Sequence, residues 1–170
     1  MEELKKELVV KAQKAAEALI HKLKEGSLTL ALAESCTAGL VSALLAGVPG
    51  ASEVLWGSFV TYTKESKVSM LGIDEKIPET FGLVSKECAC AMAQGALRKS
   101  AAAIAASVTG LAGPGGDGSG VKVGTVWIAA ALRDGEVAAK EHHFTGTRNE
   151  VRINAAIAVL EILHTVLTKK

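Results

Sequence analysis

The chain has few aromatic residues, an odd number of cysteines and almost no net charge. Aromatic residues make up 4% of its 170 residues, so few large rings are available to enlarge a core. Three cysteines are an odd count, which argues against a disulfide framework. The formal net charge is +1 and the basic residues are dispersed, so the sequence gives no electrostatic reason to expect binding to nucleic acid or acidic membranes.

Long apolar runs are missing as well. No uninterrupted run approaches the roughly 20 residues that a membrane-spanning helix needs. The first ten residues mix acidic and basic side chains, unlike the basic start of a signal peptide. We therefore expect a soluble cytoplasmic protein without a membrane partner. Cys88 and Cys90 lie two apart in a predicted helix and point in different directions, so we expect no metal there.

Hydrophobic periodicity predicts an α/β fold over one domain, residues 1–170. Helices are expected over 1–24, 37–46, 63–71, 85–99 and 148–169. Strands are expected over 28–33, 54–61, 102–109, 123–132 and 136–144. We therefore expect a three-layer α/β/α domain, with helices on both faces of a mixed sheet.

Local features refine this fold. Gly26 is expected to end the first helix, and Pro78 and Gly82 are expected to bound a loop. The apolar run 102–109 is typical of a central strand covered on both faces, and Asp134-Gly135 predicts a hairpin turn. The closing helix is apolar on more than one face, which indicates deep packing or a homodimer or larger homo-oligomer.

Ser35 stands where the first predicted strand turns into a helix. A serine there can act as a nucleophile, and backbone N–H groups of the first helical turn can stabilise an oxyanion beside it. An ordinary N-cap has the same local pattern, so capping is the alternative interpretation. Cys36 is a second possible nucleophile, because a helix N-terminus lowers the pKa of a thiol.

A serine nucleophile needs a base. The four histidines show no evident triad arrangement, although a Ser-His-Asp site stays an alternative; they are His21, His142, His143 and His164. Lys64 and Lys67 follow the second predicted strand, at the same end of the sheet as Ser35 if the strands are parallel. Repulsion between these two lysines would lower the pKa of one of them. The alternative is that both are solvated surface side chains.

A glycine-rich loop over 110–120 follows the apolar run. Gly113, Gly115 and Gly118 formally match G-x-G-x-x-G, but a predicted strand follows where a dinucleotide site requires a helix. The loop also lacks the lysine of a nucleotide-binding P-loop. Its backbone can turn tightly and direct N–H groups at an anion or polar group, and a plain flexible loop is the alternative.

Arg148 and Arg152 share one face at the start of the last predicted helix. Two guanidinium groups beside the positive end of a helix dipole suit a phosphate or carboxylate. Ion pairs with Glu150 or Asp134 are the alternative interpretation. The sequence therefore indicates an anion site without naming the anion.

Six segments together resemble one family. They are AESCTAG (33–39), GSFVTY (57–62), ESK (65–67), TGLAGPGG (109–116), VGTV (123–126) and FTGTRNEVR (144–152). Their order and spacing resemble those of the CinA C-terminal domain family, the nicotinamide-nucleotide amidases. The resemblance spans roughly residues 5–168 of the chain.

The resemblance implies hydrolysis of the carboxamide of nicotinamide mononucleotide to nicotinate mononucleotide and ammonia, without a cofactor or metal, in pyridine-nucleotide recycling. It implies that Ser35 is the nucleophile and Lys67 the general base, and that Tyr62, Thr109 and Arg148 line the site. The wider set of expected substrate contacts, from the resemblance and the residues together, is Cys36, Thr37, Gly39, Tyr62, Lys64, Thr109, Gly110, Gly113, Gly115, Arg148 and Arg152.

Three positions depart from the family pattern. Ala38 stands where a glycine is frequent, Lys64 where asparagine is common, and Val121-Lys122 where Lys-Pro is frequent. None of these changes removes a proposed catalytic group. They leave open a catalytically weak nucleotide-binding or regulatory module related to competence/damage-inducible proteins, and an amidase with a different substrate.

Overall fold

The computed structural model describes residues 2–168, with side chains from residue 6 onward. Its helices are α1 (Glu2–Glu25), α2 (Leu40–Ala46), α3 (Lys64–Leu71), α4 (Lys76–Phe81), α5 (Lys86–Lys99) and α6 (Arg148–Thr168), with a short 3₁₀ helix at Ala51–Glu53. Its strands are β1 (Leu30–Glu34), β2 (Leu55–Val60), β3 (Ile104–Gly110), β4 (Thr125–Leu132) and β5 (Val137–His143). The expected helix ends at Met1 and Lys169 lie outside the described residues.

The five strands form one mixed sheet in the order β2-β1-β3-β4-β5. The first three strands are parallel, whereas β4 and β5 are antiparallel to their neighbours. β3 is the central strand and is buried over Ile104–Thr109, as the apolar run predicts. The expected hairpin joins β4 to β5. The mixed sheet is therefore confirmed.

Alternation along β1 assigns its side chains to two separate cores. Leu30 and Leu32 pack with α1, α2 and α6 on one face of the sheet. Ala31 and Ala33 pack with α3 and α5 on the other face. The three-layer α/β/α architecture is therefore confirmed, with a face of large aliphatic residues and a face of small ones.

α5 lies close to α3 because Gly95 has no side chain. A Cβ atom at Gly95 would lie 2.7 Å from the carbonyl oxygen of Leu71, the last residue of α3. That distance is well inside van der Waals contact, so any other residue would push the two helices apart. The absence of a side chain at Gly95 thus sets the position of α3.

The structure differs from the expected elements at the start of α2 and around Pro78. α2 begins at Leu40 rather than Thr37, because Ala38 and Gly39 have φ values of 50° and 90°, which an α-helix does not accept. The segment around Pro78 is the helix α4 rather than a loop. Pro78 lies in its first turn, where a missing N–H breaks no intrahelical hydrogen bond.

α6 is the helix, among the described residues, that is long and apolar enough to cross a membrane by length and composition alone. Half of its apolar stretch is buried inside the protein, where it packs with α1 and the sheet. The core helix of a soluble protein has the same composition. The cytoplasmic location, the single domain and the homo-oligomer stay predictions.

The first helix ends one residue later than expected. The left-handed residue is Ser27, with a φ of 50°, and not Gly26. The N–H groups of Ser27 and Leu28 donate to the carbonyls of Lys24 and Leu23, which is the Schellman arrangement. A side chain at the left-handed position of this motif costs free energy that glycine avoids.

Replacing Ser27 by glycine should therefore stabilise the protein. We expect Ser27→Gly to raise the free energy of unfolding by about 1 kcal/mol, which corresponds to an increase in Tm of roughly 2–4 °C. Thermal and urea unfolding measure both. Ser27→Ala is the matched control and should bring no gain, because alanine keeps a Cβ in the left-handed region. Equal effects of the two variants would contradict this account.

Candidate active site

Ser35 and Lys67 meet at one edge of the sheet. Ser35 follows the last residue of β1, and the parallel strand β2 ends beside it. Thr63 and Ser66 form a capping box that starts α3 directly after β2. The first turn of α3 brings Lys67 back over the sheet, where its Nζ atom lies 2.9 Å from Ser35 Oγ. The expected proximity of the two residues is therefore found.

The Lys67 amine is buried, and no carboxylate among the described residues forms an ion pair with it. Its side chain is 1% exposed, and Nζ donates a hydrogen bond of 2.7 Å to the Thr61 carbonyl. Burial lowers the pKa of Lys67, and only the thiols of Cys88 and Cys36 act in the other direction. Burial raises the pKa of these thiols to about 11 and about 12, so both are neutral near pH 7. The surroundings therefore favour a neutral amine, which is the form a general base needs.

Lys64 has another role than expected. Its Nζ atom lies 2.9 Å from a carboxylate oxygen of Glu75 and 2.7 Å from one of Glu79. Hydrogen bonds to Glu79 and Glu75 raise the pKa of Lys64. The expectation that repulsion from Lys64 lowers the pKa of Lys67 is wrong, because burial is the main cause. Lys64 links α3 to α4 at the surface.

Glu34, directly before Ser35, holds the turn between β1 and α2 through hydrogen bonds to its buried carboxylate. Its carboxylate is fully buried and accepts hydrogen bonds from the backbone N–H groups of Val41 and Ser42, at 3.0 and 2.9 Å. The hydroxyls of Thr37 and Ser58 donate to it as well, at 2.8 and 3.1 Å. The N–H groups of Val41 and Ser42 in the first turn of α2 are thus bound by Glu34. The donors expected for an oxyanion, the N–H groups near Cys36 and Thr37 or in the glycine-rich loop, stay a prediction.

Two other backbone donors lie beside Ser35. Neither the N–H group of Cys36 nor that of Thr37 donates to a backbone carbonyl of the described residues, and the Cys36 N–H lies beside that residue's own thiol. Arg152 donates to the carbonyls of both residues, at 3.2 Å for Cys36 and 2.8 Å for Thr37. In a trans peptide the N–H and C=O groups point in opposite directions, so Arg152 directs the N–H of Thr37 away from itself. This arrangement suits an oxyanion hole.

A cavity of about 230 Å³ opens over Ser35 and Lys67. Its lining includes five further residues that the sequence singles out, namely Cys36, Tyr62, Thr109, Gly110 and Arg148. It also includes five that the sequence analysis does not, namely Leu83, Val84, Leu111, Ala112 and Asp117. The remaining expected contacts do not line it; they are Thr37, Gly39, Lys64, Gly113, Gly115 and Arg152.

Arg148 and Thr109 connect separate parts of the cavity wall. The Arg148 guanidinium donates to the Gly113 carbonyl of the glycine-rich loop and to the Tyr62 hydroxyl, both at 2.7 Å. The Thr109 hydroxyl donates to the Leu83 carbonyl at 2.7 Å, which holds the segment before α5 against β3. Arg148 thus places a positive charge at the wall.

Other kinds of site find less support. A larger cavity of about 490 Å³ lies at the opposite end of the sheet, but its lining contains no nucleophile beside a base. None of the four histidines lines the cavity at Ser35. Within the described part of the chain, no group of three or more His, Cys, Asp or Glu residues is arranged to hold a metal ion.

The family model of the CinA C-terminal domain matches residues 12–167. The chain belongs to the CinA C-terminal domain family. A CinA-like protein of Dictyoglomus thermophilum is 42% identical over 147 residues, which are 86% of this chain and 36% of that protein. A CinA-like protein of Thermotoga maritima is 40% identical over 154 residues, 91% of this chain and 37% of that protein. The chain thus spans about a third of the length of the curated relatives that it matches.

Solved structures of CinA-family proteins share the fold. The competence/damage inducible protein CihA from Agrobacterium tumefaciens superimposes with a TM-score of 0.88 at 38% identity, covering 93% of this chain and 96% of that one. A CinA superfamily protein from Klebsiella pneumoniae gives a TM-score of 0.90 at 28% identity, covering 94% and 99%. These matches support the family assignment and the α/β fold.

The hydrogen bonds to Glu34 should contribute strongly to stability. We expect Glu34→Gln to lower the free energy of unfolding by about 2–3 kcal/mol, because an amide NH₂ group would face donors in a buried site. Thermal unfolding should show a decrease in Tm of roughly 5–10 °C. Glu53→Gln is the control, since its ion pair with Lys24 is exposed and should contribute at most about 1 kcal/mol. Similar losses for both variants would contradict the role of Glu34.

Proposed function

We propose that this chain is a serine–lysine amidase that hydrolyses the carboxamide of nicotinamide mononucleotide to nicotinate mononucleotide and ammonia. The observation that carries the proposal is the 2.9 Å contact between Ser35 Oγ and a buried Lys67 amine at the floor of a cavity. A lysine without a carboxylate partner is suited to accept a proton from a serine hydroxyl. Membership of the CinA C-terminal domain family supports the assignment.

The reaction needs one proton carrier and one oxyanion site. Lys67 accepts the hydroxyl proton of Ser35 while Ser35 Oγ bonds to the carboxamide carbon. The N–H groups of Cys36 and Thr37 bind the oxyanion of the tetrahedral intermediate. Lys67 then gives its proton to the departing nitrogen, and ammonia leaves an ester on Ser35. Water attacks the ester carbon while Lys67 takes up a proton from the water. The bond between the carbon and Ser35 Oγ then breaks, Lys67 returns the proton to Oγ, and the carboxylic acid leaves with Ser35 and the neutral amine regenerated.

Arg148 supports a nucleotide rather than a free amide as the substrate. Its guanidinium lies in the wall of the same cavity as Ser35. Guanidinium groups bind phosphate oxygens through paired N–H donors. A substrate with its carboxamide at Ser35 and a phosphate at Arg148 uses both groups. The glycine-rich loop, which Arg148 contacts through Gly113, contributes further backbone to this wall.

Loss of the nucleophile should abolish turnover. We expect Ser35→Ala to reduce ammonia release from nicotinamide mononucleotide by at least roughly 10³-fold without loss of fold. Ser42→Ala is the matched control, because this serine lies nearby on α2 but does not line the cavity. Nicotinamide and its riboside serve as alternative substrates. Wild-type protein that binds the nucleotide in calorimetry but releases no ammonia would instead support a binding module.

Replacing Lys67 should lower activity and raise stability. We expect Lys67→Met to reduce ammonia release by at least roughly 10³-fold. The pKa of Lys67 is lowered in the folded protein, so the unfolded chain binds more protons near neutral pH, and the buried lysine opposes folding there. Lys67→Met should therefore raise Tm at pH 7, and this gain should shrink as the pH rises towards the ordinary lysine pKa. A lower Tm for Lys67→Met would contradict the neutral amine.

The same pKa sets the pH dependence of activity. The amine is a base only when neutral, so kcat/KM should rise with pH through the pKa of Lys67 and level off above it. Because burial lowers that pKa, the plateau should begin below the range of a solvated lysine. A pH profile of ammonia release from the wild-type protein measures this limb.

A further inference from the structure

Thr61 has a buried hydroxyl group that the proposed mechanism does not use. The residue follows β2 and is 0% exposed. Its N–H donates to the Glu34 carbonyl at 2.8 Å, and its own carbonyl accepts from Lys67 Nζ at 2.7 Å. Among the described residues, Thr61 Oγ1 is the buried side-chain oxygen or nitrogen atom without a hydrogen-bond partner.

A buried hydroxyl without a partner lowers stability. Valine has nearly the same shape as threonine and carries no polar atom, so it would fill this position without that cost. The presence of threonine therefore calls for a state of the protein in which its hydroxyl is paired.

The hydroxyl lies on the side of the sheet that holds the base. Alternation along β2 puts Thr61 on the same face as Phe59, which packs with α3 and α5. Lys67 reaches Ser35 over that face. Four covalent bonds join the Thr61 carbonyl oxygen, already bonded to Lys67 Nζ, to Thr61 Oγ1. The hydroxyl thus belongs to the same residue as an acceptor that already binds the amine, and rotation about χ1 is the side-chain freedom that reorients it.

Proton transfer changes the number of acceptors that Lys67 needs. The Lys67 amine donates to the Thr61 carbonyl and to Ser35 Oγ in the structure, and in the neutral amine a lone pair is left to accept the Ser35 proton. After transfer, the ammonium has three N–H donors, for which the Thr61 carbonyl and Ser35 oxygen supply two acceptors. The titratable groups acting on Lys67 are the thiols of Cys36 and Cys88, which are weak acceptors. Arg148 and Asp117 also line the cavity, but neither is among the groups that shift the pKa of Lys67.

We propose that the Thr61 hydroxyl accepts a hydrogen bond from the Lys67 ammonium that forms during catalysis, so that Thr61 is a positioning residue for the base. This inference rests on the proposed amidase function. An acceptor that is paired only after proton transfer stabilises the transition state more than the resting enzyme, and therefore acts on kcat. No covalent bond of Thr61 changes.

Two variants test the proposal. Thr61→Val removes the hydroxyl and keeps the shape, and it should lower kcat for ammonia release on the order of tenfold with KM unchanged. Its Tm should equal or exceed that of the wild type, because an unpaired buried group is removed. Thr61→Ser keeps the hydroxyl and should retain kcat within about threefold. A role in structure alone would lower Tm and leave kcat unchanged.

A titration that needs no substrate separates this inference from the proposed function. In protein with ¹³C-labelled lysine, the Lys67 signal is identified by its loss in Lys67→Met, and its pKa is measured by NMR. Thr61→Val should lower that pKa on the order of one unit, because the charged form loses an acceptor, and the rising limb of kcat/KM should move to lower pH.

Each result decides one question. An unchanged Lys67 titration in Thr61→Val, or wild-type kcat with lowered Tm, overturns the role of Thr61. If the wild type releases no ammonia, the amidase proposal fails, and the titration still shows whether the hydroxyl stabilises the ammonium.

Discussion

The contact between Ser35 and Lys67 depends on a lysine that is buried without a counter-ion. Burying a charged ammonium is costly, and among the described residues the groups that bind or act on the Lys67 amine are a carbonyl, a hydroxyl and two neutral thiols. The fold offsets this cost with two well-packed hydrophobic cores on the faces of the sheet. Reactivity at the edge of the sheet is therefore supported by packing elsewhere.

Two adjacent residues of the turn after β1 have different contacts. Because side chains alternate along a strand, Glu34 points to one face of the sheet and Ser35 to the other. Glu34 accepts hydrogen bonds from four donors and holds the start of α2, whereas Ser35 contacts Lys67. Arg152 donates to the carbonyls of Cys36 and Thr37, between Ser35 and α2. The Ser35 hydroxyl thus lies in a turn that is held by Glu34 and by Arg152.

Local sequence signals predict much of the fold and the central pair of the site. The order of helices and strands follows from apolar periodicity, and two parallel strands that end at the same edge bring the segment of Lys64 and Lys67 near Ser35. The family resemblance then singles out Lys67 as the partner of Ser35. Features that depend on distant partners were not predictable. Lys64 forms surface ion pairs with Glu75 and Glu79, and α2 begins later than expected because Ala38 has a left-handed backbone. The apolar periodicity of the sequence predicts neither the ion pairs nor the left-handed turn.

Gly95, on the face of the sheet with small residues, affects the position of Lys67 as well as the packing of α5. Its hydrogen atom is the spacer between α5 and the end of α3, and α3 is the element that carries Lys67. Any bulkier side chain at position 95 would displace the helix that delivers the amine. Gly95, which does not line the cavity, thereby sets how far the Lys67 side chain extends towards Ser35 from the other end of α3.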